Sequence, residues 1–359
     1  MSTILHTESS LGLGGQEIRI MTEVPWLLAH GWRVLIACQP ESRLLTEARA
    51  AALPVVEVKM GSPLDVRAIA TLRGLMKTRD VALVHTHSSV DSWVATLAAK
   101  TLSLPVVRSR HVSIPIRRRR ALVYRLADRI ITSGEAIGEI VRAAGVGAGR
   151  IVSISAGVDT SRFHPGVSGR AVRKELGLTG PVAGLVAMLR GSKGHRFFLE
   201  AAREVLGVLP DTRFLIVGDG IGYADVKNRI REMGLEQAVI MTGFRTDIPE
   251  VMAALDVLVL PSIKSEGTPQ VIPQALAVGT PVVATATGGI PEIIRDGETG
   301  CLVPPADPHA LAQAMLSLLR DRAWARQLAQ AGQALVRARY TIEGMMTQTT
   351  RVYAELIGR

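Results

Sequence analysis

Residues 257–292 constrain the fold more tightly than any other stretch. The apolar run Val257–Leu260 reads as a buried strand that stops at Pro261-Ser262. The loop Ser265-Glu266-Gly267-Thr268-Pro269-Gln270 follows, and then the apolar segment Val271–Val278, which reads as a helix. Thr268 is a candidate N-cap, and Pro269 suits the first helical position, where a missing N–H is no loss. Residues 281–284 read as the next strand, and Thr287-Gly288-Gly289 opens a second strand-to-helix turn into Ile290-Pro291-Glu292. Glu266 therefore sits at the carboxyl end of a strand, before a helix N-terminus. Open α/β sheets bind ligands at that position. The free N–H groups there attract anions such as a diphosphate.

The same rhythm runs through the rest of the chain. Residues 4–6 form a weak strand, followed by Gly12-Leu13-Gly14-Gly15-Gln16-Glu17 and an amphipathic segment over residues 18–30. Glycines let backbone N–H groups approach a phosphate, although a tight turn with no ligand reads equally well. The spacing is not the Gly-x-Gly-x-x-Gly of dinucleotide sites. Strands at residues 34–38, 55–58, 82–86, 105–109 and 129–132 alternate with helices at residues 42–52, 66–77, 92–101 and 121–126. This alternation predicts parallel sheets with helices on both faces. A Pro-, Gly- and Ser-rich linker at residues 164–169 divides the chain into domains at residues 1–165 and 166–340, with a last helix over about residues 341–359.

Length and apolar content fit two cores: 359 residues, 47% hydrophobic. No apolar run reaches the length of a membrane span, and residues 1–6 do not resemble a secretory signal. Cys38 and Cys301 fall in strand-like runs and read as core thiols of a reducing compartment, so a cytoplasmic enzyme is expected. The net charge of +10 is uneven: 21 basic against 13 acidic residues through Pro165, and 21 against 19 beyond it. Its densest part is Arg117-Arg118-Arg119-Arg120, with Arg108, Arg110 and Arg125 nearby. A solvated helix face, an anionic membrane or acceptor contact, and a nucleic-acid patch all fit such a run. Aromatic residues at 4% and no recognisable nucleic-acid module argue against nucleic acid.

Two polar loops end strands in the first half. His85-Thr86-His87 would place both imidazoles on one side of a continuing strand, but no carboxylate or Cys in the sequence visibly completes a metal-ligand set. Arg110-His111-Val112-Ser113-Ile114-Pro115 leads into the arginine run. In the second half, Arg190-Gly191-Ser192-Lys193-Gly194-His195 puts basic groups at a strand end before a helix, well placed for a diphosphate.

The order Glu266, Gln274-Ala275, Gly279-Thr280-Pro281-Val282-Val283-Ala284-Thr285, Gly288-Gly289 and Pro291-Glu292 resembles the donor-site signature of retaining glycosyltransferases of family 4. Gln274 stands where that family has a second Glu, and Met188 where it often has an Arg. The resemblance covers nearly the whole chain. It implies the GT-B fold, two Rossmann-like domains facing a central cleft, with the C-terminal helix packing back on the first. The implied reaction is transfer of a sugar from a UDP- or GDP-linked donor to an acceptor hydroxyl with retained configuration, in cell-envelope polysaccharide, lipopolysaccharide or glycolipid synthesis.

Glu266 would orient the donor sugar, and Lys193, with Arg190, would neutralise the diphosphate. Gly14, Gly15, Gly243, Phe244, Arg245, Gly267, Thr268, Pro269, Gln270 and Gln274 would bind the donor. His87 would position sugar or acceptor. His111 and Arg117–Arg120 would meet a lipid-linked or saccharide acceptor or an anionic membrane at the inner face of the plasma membrane. No cofactor is implied, and the absence of Asp-x-Asp implies no metal. A nucleotide-sugar epimerase of the same fold and a non-catalytic nucleotide-sugar-binding subunit are the alternatives.

Overall fold

The computed structural model describes residues 3–117, 121–264 and 266–358; Arg118, Arg119, Arg120 and Ser265 lie outside them. Two units divide the chain: residues 1–156 with 343–359, and residues 157–342. Residues 157–165, read above as the end of the first domain, cluster with the second. Val158 bridges to Thr341, and Val158 and Phe163 are buried in the second unit's core.

In the first unit seven strands are all parallel: β1 (Thr3–Glu8), β2 (Arg33–Cys38), β3 (Val55–Glu57), β4 (Val81–Thr86), β5 (Val106–Arg110), β6 (Arg129–Thr132) and β7 (Ile151–Ser153). Their order is β3-β2-β1-β4-β5-β6-β7, so the winding reverses between β1 and β4. Helices α1 (Gly15–Ala29), α2 (Arg43–Ala50), α3 (Val66–Thr78), α4 (Val90–Lys100), α5 (Ala121–Leu126) and α6 (Glu135–Ala143) connect them. The period-2 alternation of a strand splits each into two faces. Leu5, Val84 and Val106 enter an apolar core with Leu72, Val94 and Val123 from α3, α4 and α5. The opposite face of β1 and β4 carries His6 and His85.

The second unit holds α7 (Arg170–Glu175), β8 (Val182–Val186), α8 (His195–Leu206), β9 (Arg213–Val217), α9 (Tyr223–Glu232), β10 (Val239–Gly243) and α10 (Ile248–Ala254). It continues with β11 (Val257–Leu260), α11 (Val271–Val278), β12 (Val282–Thr285), α12 (Ile290–Ile293), β13 (Cys301–Val303), α13 (Pro308–Arg320) and α14 (Arg322–Arg339). Its six parallel strands run β10-β9-β8-β11-β12-β13, reversing between β8 and β11. Val257 and Val259 pack with Phe198, Leu311 and Met315 on one face, while Leu258 and Leu260 pack with Met252, Ile272 and Leu276 on the other. A sheet covered on both faces explains why these strands read as unbroken apolar runs. Helix α15 (Ile342–Ile357) follows, and from Glu343 on it belongs to the first unit.

Helix α11 starts at Val271 with Gln270 as its N-cap, so Thr268 and Pro269 form the approach loop rather than the cap and first turn. Pro273 falls within the first four residues, whose N–H groups have no intrahelical partner, and so interrupts nothing. The strand-to-helix turn expected at Gly288-Gly289 leads into α12, whereas α7, α9 and α10 escaped because their apolar stripes are short. Among the described residues no helix is long and apolar enough to cross a membrane.

Candidate functional site

In the second unit, loops from three adjacent strands meet at the winding reversal. Lys193 follows β8, Glu266 follows β11, and Gly288-Gly289 follows β12. The Lys193 ammonium donates to Glu266 Oε1 at 2.6 Å, with both side chains largely buried. Ser262 Oγ donates to the same oxygen, and Thr285 Oγ1 donates to the Ser262 carbonyl. The carboxylate is thus held by an ammonium and a hydroxyl, and the hydroxyl's own backbone is pinned from β12. A charge-assisted bond of this kind fixes direction as well as charge.

Glycine makes the convergence possible. A Cβ at Gly194 would lie 1.8 Å from the Pro261 carbonyl oxygen, and one at Gly288 would lie 2.0 Å from the Glu266 carbonyl oxygen. A Cβ at Gly289 would lie 2.3 Å from the Gly267 carbonyl oxygen. Gly194 and Gly288 also have positive φ, +72° and +57°. These glycines let backbone approach backbone and so set where Lys193 and Glu266 stand.

Among the other expected donor residues, Gly267, Thr268 and Gln270 are half-buried beside Glu266, Pro269 is buried, and Gln274 is half-buried on the first turn of α11. Gly243 ends β10 with φ +72°, and Phe244 is 77% exposed, an aromatic face open to solvent. Arg245 is not open: its guanidinium bonds Glu175 at 2.7 Å and Asp247 at 2.6 Å, and these bonds hold its pKa above the usual arginine range. Arg190 is not brought to Glu266 by any contact; it is exposed and lines a separate cavity of about 280 Å3 with Arg196 and Arg229. His195, at the start of α8, is buried with Nε2 unpartnered, and burial, then Lys193, lowers its pKa to about 4.

In the first unit, His87, His111 and Arg117 line one cavity of about 400 Å3. His87 follows β4, is buried, and its Nε2 lies 3.0 Å from His6 Nδ1, the two sharing a hydrogen bond. Its backbone N–H donates to Asp91 at 2.9 Å. Gly14 caps α1, its N–H donating to Glu17 at 2.7 Å, and a side chain at Gly15 would meet open space. The same cavity is lined by Arg108 and Arg110, which sequence reasoning noted only as neighbours of the arginine run. Their signal was available: two arginines at alternate positions of an interior strand that opens with two valines.

The expectation that no carboxylate completes a ligand set around His85 and His87 is corrected. Glu23 on α1 and His6 on β1 join them, and the candidate ligand atoms of the four lie within 4.8 Å of one another. Helix contacts, invisible in strand spacing, bring Glu23 there. Hydrogen bonding already engages much of this group. His85 bonds Tyr353 Oη at 2.6 Å and Ser109 Oγ at 2.8 Å, and Glu23 accepts from Arg19 at 2.6 Å. Burial lowers the pKa of His6, His85 and His87, which favours neutral imidazoles.

Two doubly wound parallel-sheet units, one presenting a Lys–Glu pair at its switch point, define the GT-B class. Family profiles match both units: "Glycosyltransferase Family 4" over residues 13–162 and "Glycosyl transferases group 1" over residues 180–321. The chain belongs to this glycosyltransferase family. It is 28% identical over 343 residues to the Escherichia coli UDP-Gal:alpha-D-GlcNAc-diphosphoundecaprenol alpha-1,3-galactosyltransferase, covering 89% of this chain and 88% of that protein. It is 31% identical to the Arabidopsis thaliana sulfoquinovosyl transferase SQD2 over 62% of this chain, spanning about half (47%) of that relative. The crystal structure of Anabaena Alr3699/HepE in complex with UDP superposes with a TM-score of 0.90 at 23% identity, over 99% of this chain and 100% of that one. These relationships favour sugar transfer over the epimerase and binding-subunit alternatives.

Proposed function

We propose that the protein transfers a hexosyl group from a UDP- or GDP-linked sugar to an acceptor hydroxyl, with retained configuration and no metal, in cell-envelope polysaccharide, lipopolysaccharide or glycolipid synthesis. The observation that carries this reading is the buried Lys193–Glu266 pair at the β8/β11 switch point. Before the donor binds, each charge compensates the other, which is how buried charges persist. An incoming diphosphate competes for the ammonium. Glu266 is then released to accept hydrogen bonds from hydroxyls of the donor sugar. Lys193 meets the negative charge that grows on the leaving diphosphate, so its stabilisation is largest in the transition state. The acceptor hydroxyl attacks the anomeric carbon from the side the diphosphate leaves, and a leaving phosphate oxygen takes its proton. Phe244 offers its open ring to the base, and Gln274 a carboxamide to the ribose.

The relatives support parts of this scheme. The E. coli enzyme's name specifies a UDP-sugar donor and a lipid diphosphate acceptor, and the Anabaena structure contains UDP. Such an acceptor would be met at the inner face of the membrane, where the exposed Arg117 and the basic segment beyond it would contact anionic headgroups.

The test separates binding from chemistry. Glu266→Gln should cut transfer by about 10²-fold or more while UDP binds as well as or better than before, because Lys193 no longer has a carboxylate to leave. Lys193→Ala should weaken both. A Glu266→Gln protein of normal turnover would remove the pair from the site.

A further inference from the structure

The 400 Å3 cavity of the first unit contains an anomaly. Arg108, on β5, is 6% exposed, and its Nε and Nη1 have no hydrogen-bond partner among the described residues. Its guanidinium lies over the Tyr124 ring, 3.8 Å from the centroid. Arg110, two residues on and on the same face of β5, gives Nη1 to Tyr124 Oη and Nη2 to the Ile114 carbonyl, and its Nε is also unpartnered. His111 adds a fourth unpartnered nitrogen, Nε2.

Among the described residues no carboxylate bonds either guanidinium. Asp91 acts on Arg108 through space, but its oxygens accept from the His87 and Ser88 N–H groups and from the hydroxyls of Thr7, Ser9 and Ser88. Burying a guanidinium with no carboxylate bonded to it is strongly unfavourable, because no counter-charge replaces its lost hydration. An anion entering the cavity would supply the missing acceptors. The planar fork of arginine favours an oxyanion that can take two parallel N–H bonds. Part of the wall is apolar: Trp93, Ile116 and Val123 line it beside Gln16, Ser88 and Ser89, and Val112 and Ile114 are exposed next to them. Its volume lies in the range of small-molecule sites.

We propose that this cavity is a phosphate site, in which Arg108 and Arg110 hold the phosphate of the acceptor and the apolar wall takes the first carbons of the chain that bears it. This rests on the transferase reading for its purpose, but not for its test. The ligand arrives already phosphorylated, so the reaction class that supplies it is a phosphoryl or phosphosugar transfer onto an amphiphile.

The experiment is thermal protection and calorimetric binding at 0.15 M salt. The probes are farnesyl phosphate below its micellar range, farnesol, inorganic phosphate and, separately, UDP. The proteins are the wild type, Arg108→Met and Arg108→Lys. Farnesyl phosphate should protect the wild type and farnesol should not. Arg108→Met should lose affinity at least about tenfold, the scale of a charged hydrogen bond, and Arg108→Lys should recover part of it. Without ligand, Arg108→Met should melt no lower than the wild type, since it removes an uncompensated charge.

Inorganic phosphate protecting as strongly as farnesyl phosphate would keep the site and assign it to free phosphate rather than a lipid headgroup. Protection by farnesol equal to that by farnesyl phosphate, undiminished binding by Arg108→Met, or a ligand-free melting point several degrees lower would each overturn the proposal. UDP reports on the second unit. Protection by UDP without protection by farnesyl phosphate defeats this inference alone, whereas no protection by UDP, or by GDP in its place, defeats the donor reading and leaves the anion site standing on its own result.

Discussion

Gly288→Ala probes the site through backbone geometry alone. Gly288 has φ +57°, where an L-residue is disfavoured by roughly 1–2 kcal/mol. Gly297, nine residues on, has φ +71° and the same intrinsic penalty, yet an added Cβ there meets nothing within 4 Å. At Gly288 the Cβ would lie 2.0 Å from the Glu266 carbonyl oxygen. Non-bonded Cβ atoms do not approach below 3.0 Å, so one loop must yield by about 1 Å. One of these two loops carries Glu266, whose carboxylate stands 2.6 Å from Lys193. A misplacement of about 1 Å in a reacting constellation can lower turnover by about 10²-fold.

Gly288→Ala should therefore lose about two orders of magnitude in kcat/KM, measured as initial rates of transfer or of donor hydrolysis. Gly297→Ala should stay within about threefold of the wild type. Both should melt lower, Gly288→Ala by more. Equal rates for the two variants would refute the reasoning. The close approach would then not set the position of Glu266, and left-handed strain alone would describe both sites.

Other perturbations test other parts of the molecule. Ser262→Ala removes one of the two donors on Glu266 and should lower kcat about tenfold with UDP affinity retained; equal loss in both would make Ser262 a binding group. Tyr353→Phe deletes the hydroxyl bonded to buried His85 and should lower unfolding free energy by about 1–2 kcal/mol, read by urea denaturation; no change would mean that the His85–Tyr353 bond does not hold α15. Glu8 is fully buried, and desolvation, then Asp91, raises its pKa from 4.5 to about 8. A raised carboxyl pKa means that the folded state keeps a proton the unfolded chain releases, so stability should fall as pH rises between about 4.5 and 8, by up to about 1.4 kcal/mol per unit. Glu8→Gln should flatten that fall and raise Tm at pH 8 but not at pH 4.5; an unchanged slope would remove Glu8 as its source.

Much of this was legible in the sequence, and the reason is burial. Strands covered on both faces must be apolar along their whole length, so β6, β11 and α11 emerge with their observed bounds. Glycines that let loops cross leave Gly-Gly and Lys-Gly marks at strand ends, which is why Glu266, Lys193 and Gly288 stood out together. What escaped is set by non-local contact. Arg190 follows the same strand as Lys193, but its side chain lines another cavity. Arg245 reads as a free cation in a loop, and only the fold brings Glu175, seventy residues earlier in the chain, onto it. Thr268 has the chemistry of an N-cap, yet Gln270 takes that place. Glu23 reaches the histidines because α1 packs on the side of the sheet that His6 and His85 face, which no periodicity within one segment can report.

The uneven charge of the chain shows how little a net count says by itself. The first part carries an excess of eight basic residues through Pro165, and the remainder an excess of two. Exposed arginines contribute little to affinity or stability, because water and salt screen them. The asymmetry that matters lies among the buried groups. In the second unit three cations near β8–β11 have acid partners: Lys193 with Glu266, Arg173 with Asp256, Arg245 with Glu175 and Asp247. Such a unit can exchange an internal carboxylate for a diphosphate and return to a neutral resting state. In the first unit Arg108 is buried without an acid bonded to it. A pair that must open for each turnover suits a donor bound and released as product every cycle. A cation with no internal competitor suits a group held through the reaction without being changed by it. On these grounds, salt should weaken contacts of the exposed Arg117 and leave binding at Arg108 nearly unaffected, and an Arg108 site as salt-sensitive as Arg117 would contradict its burial.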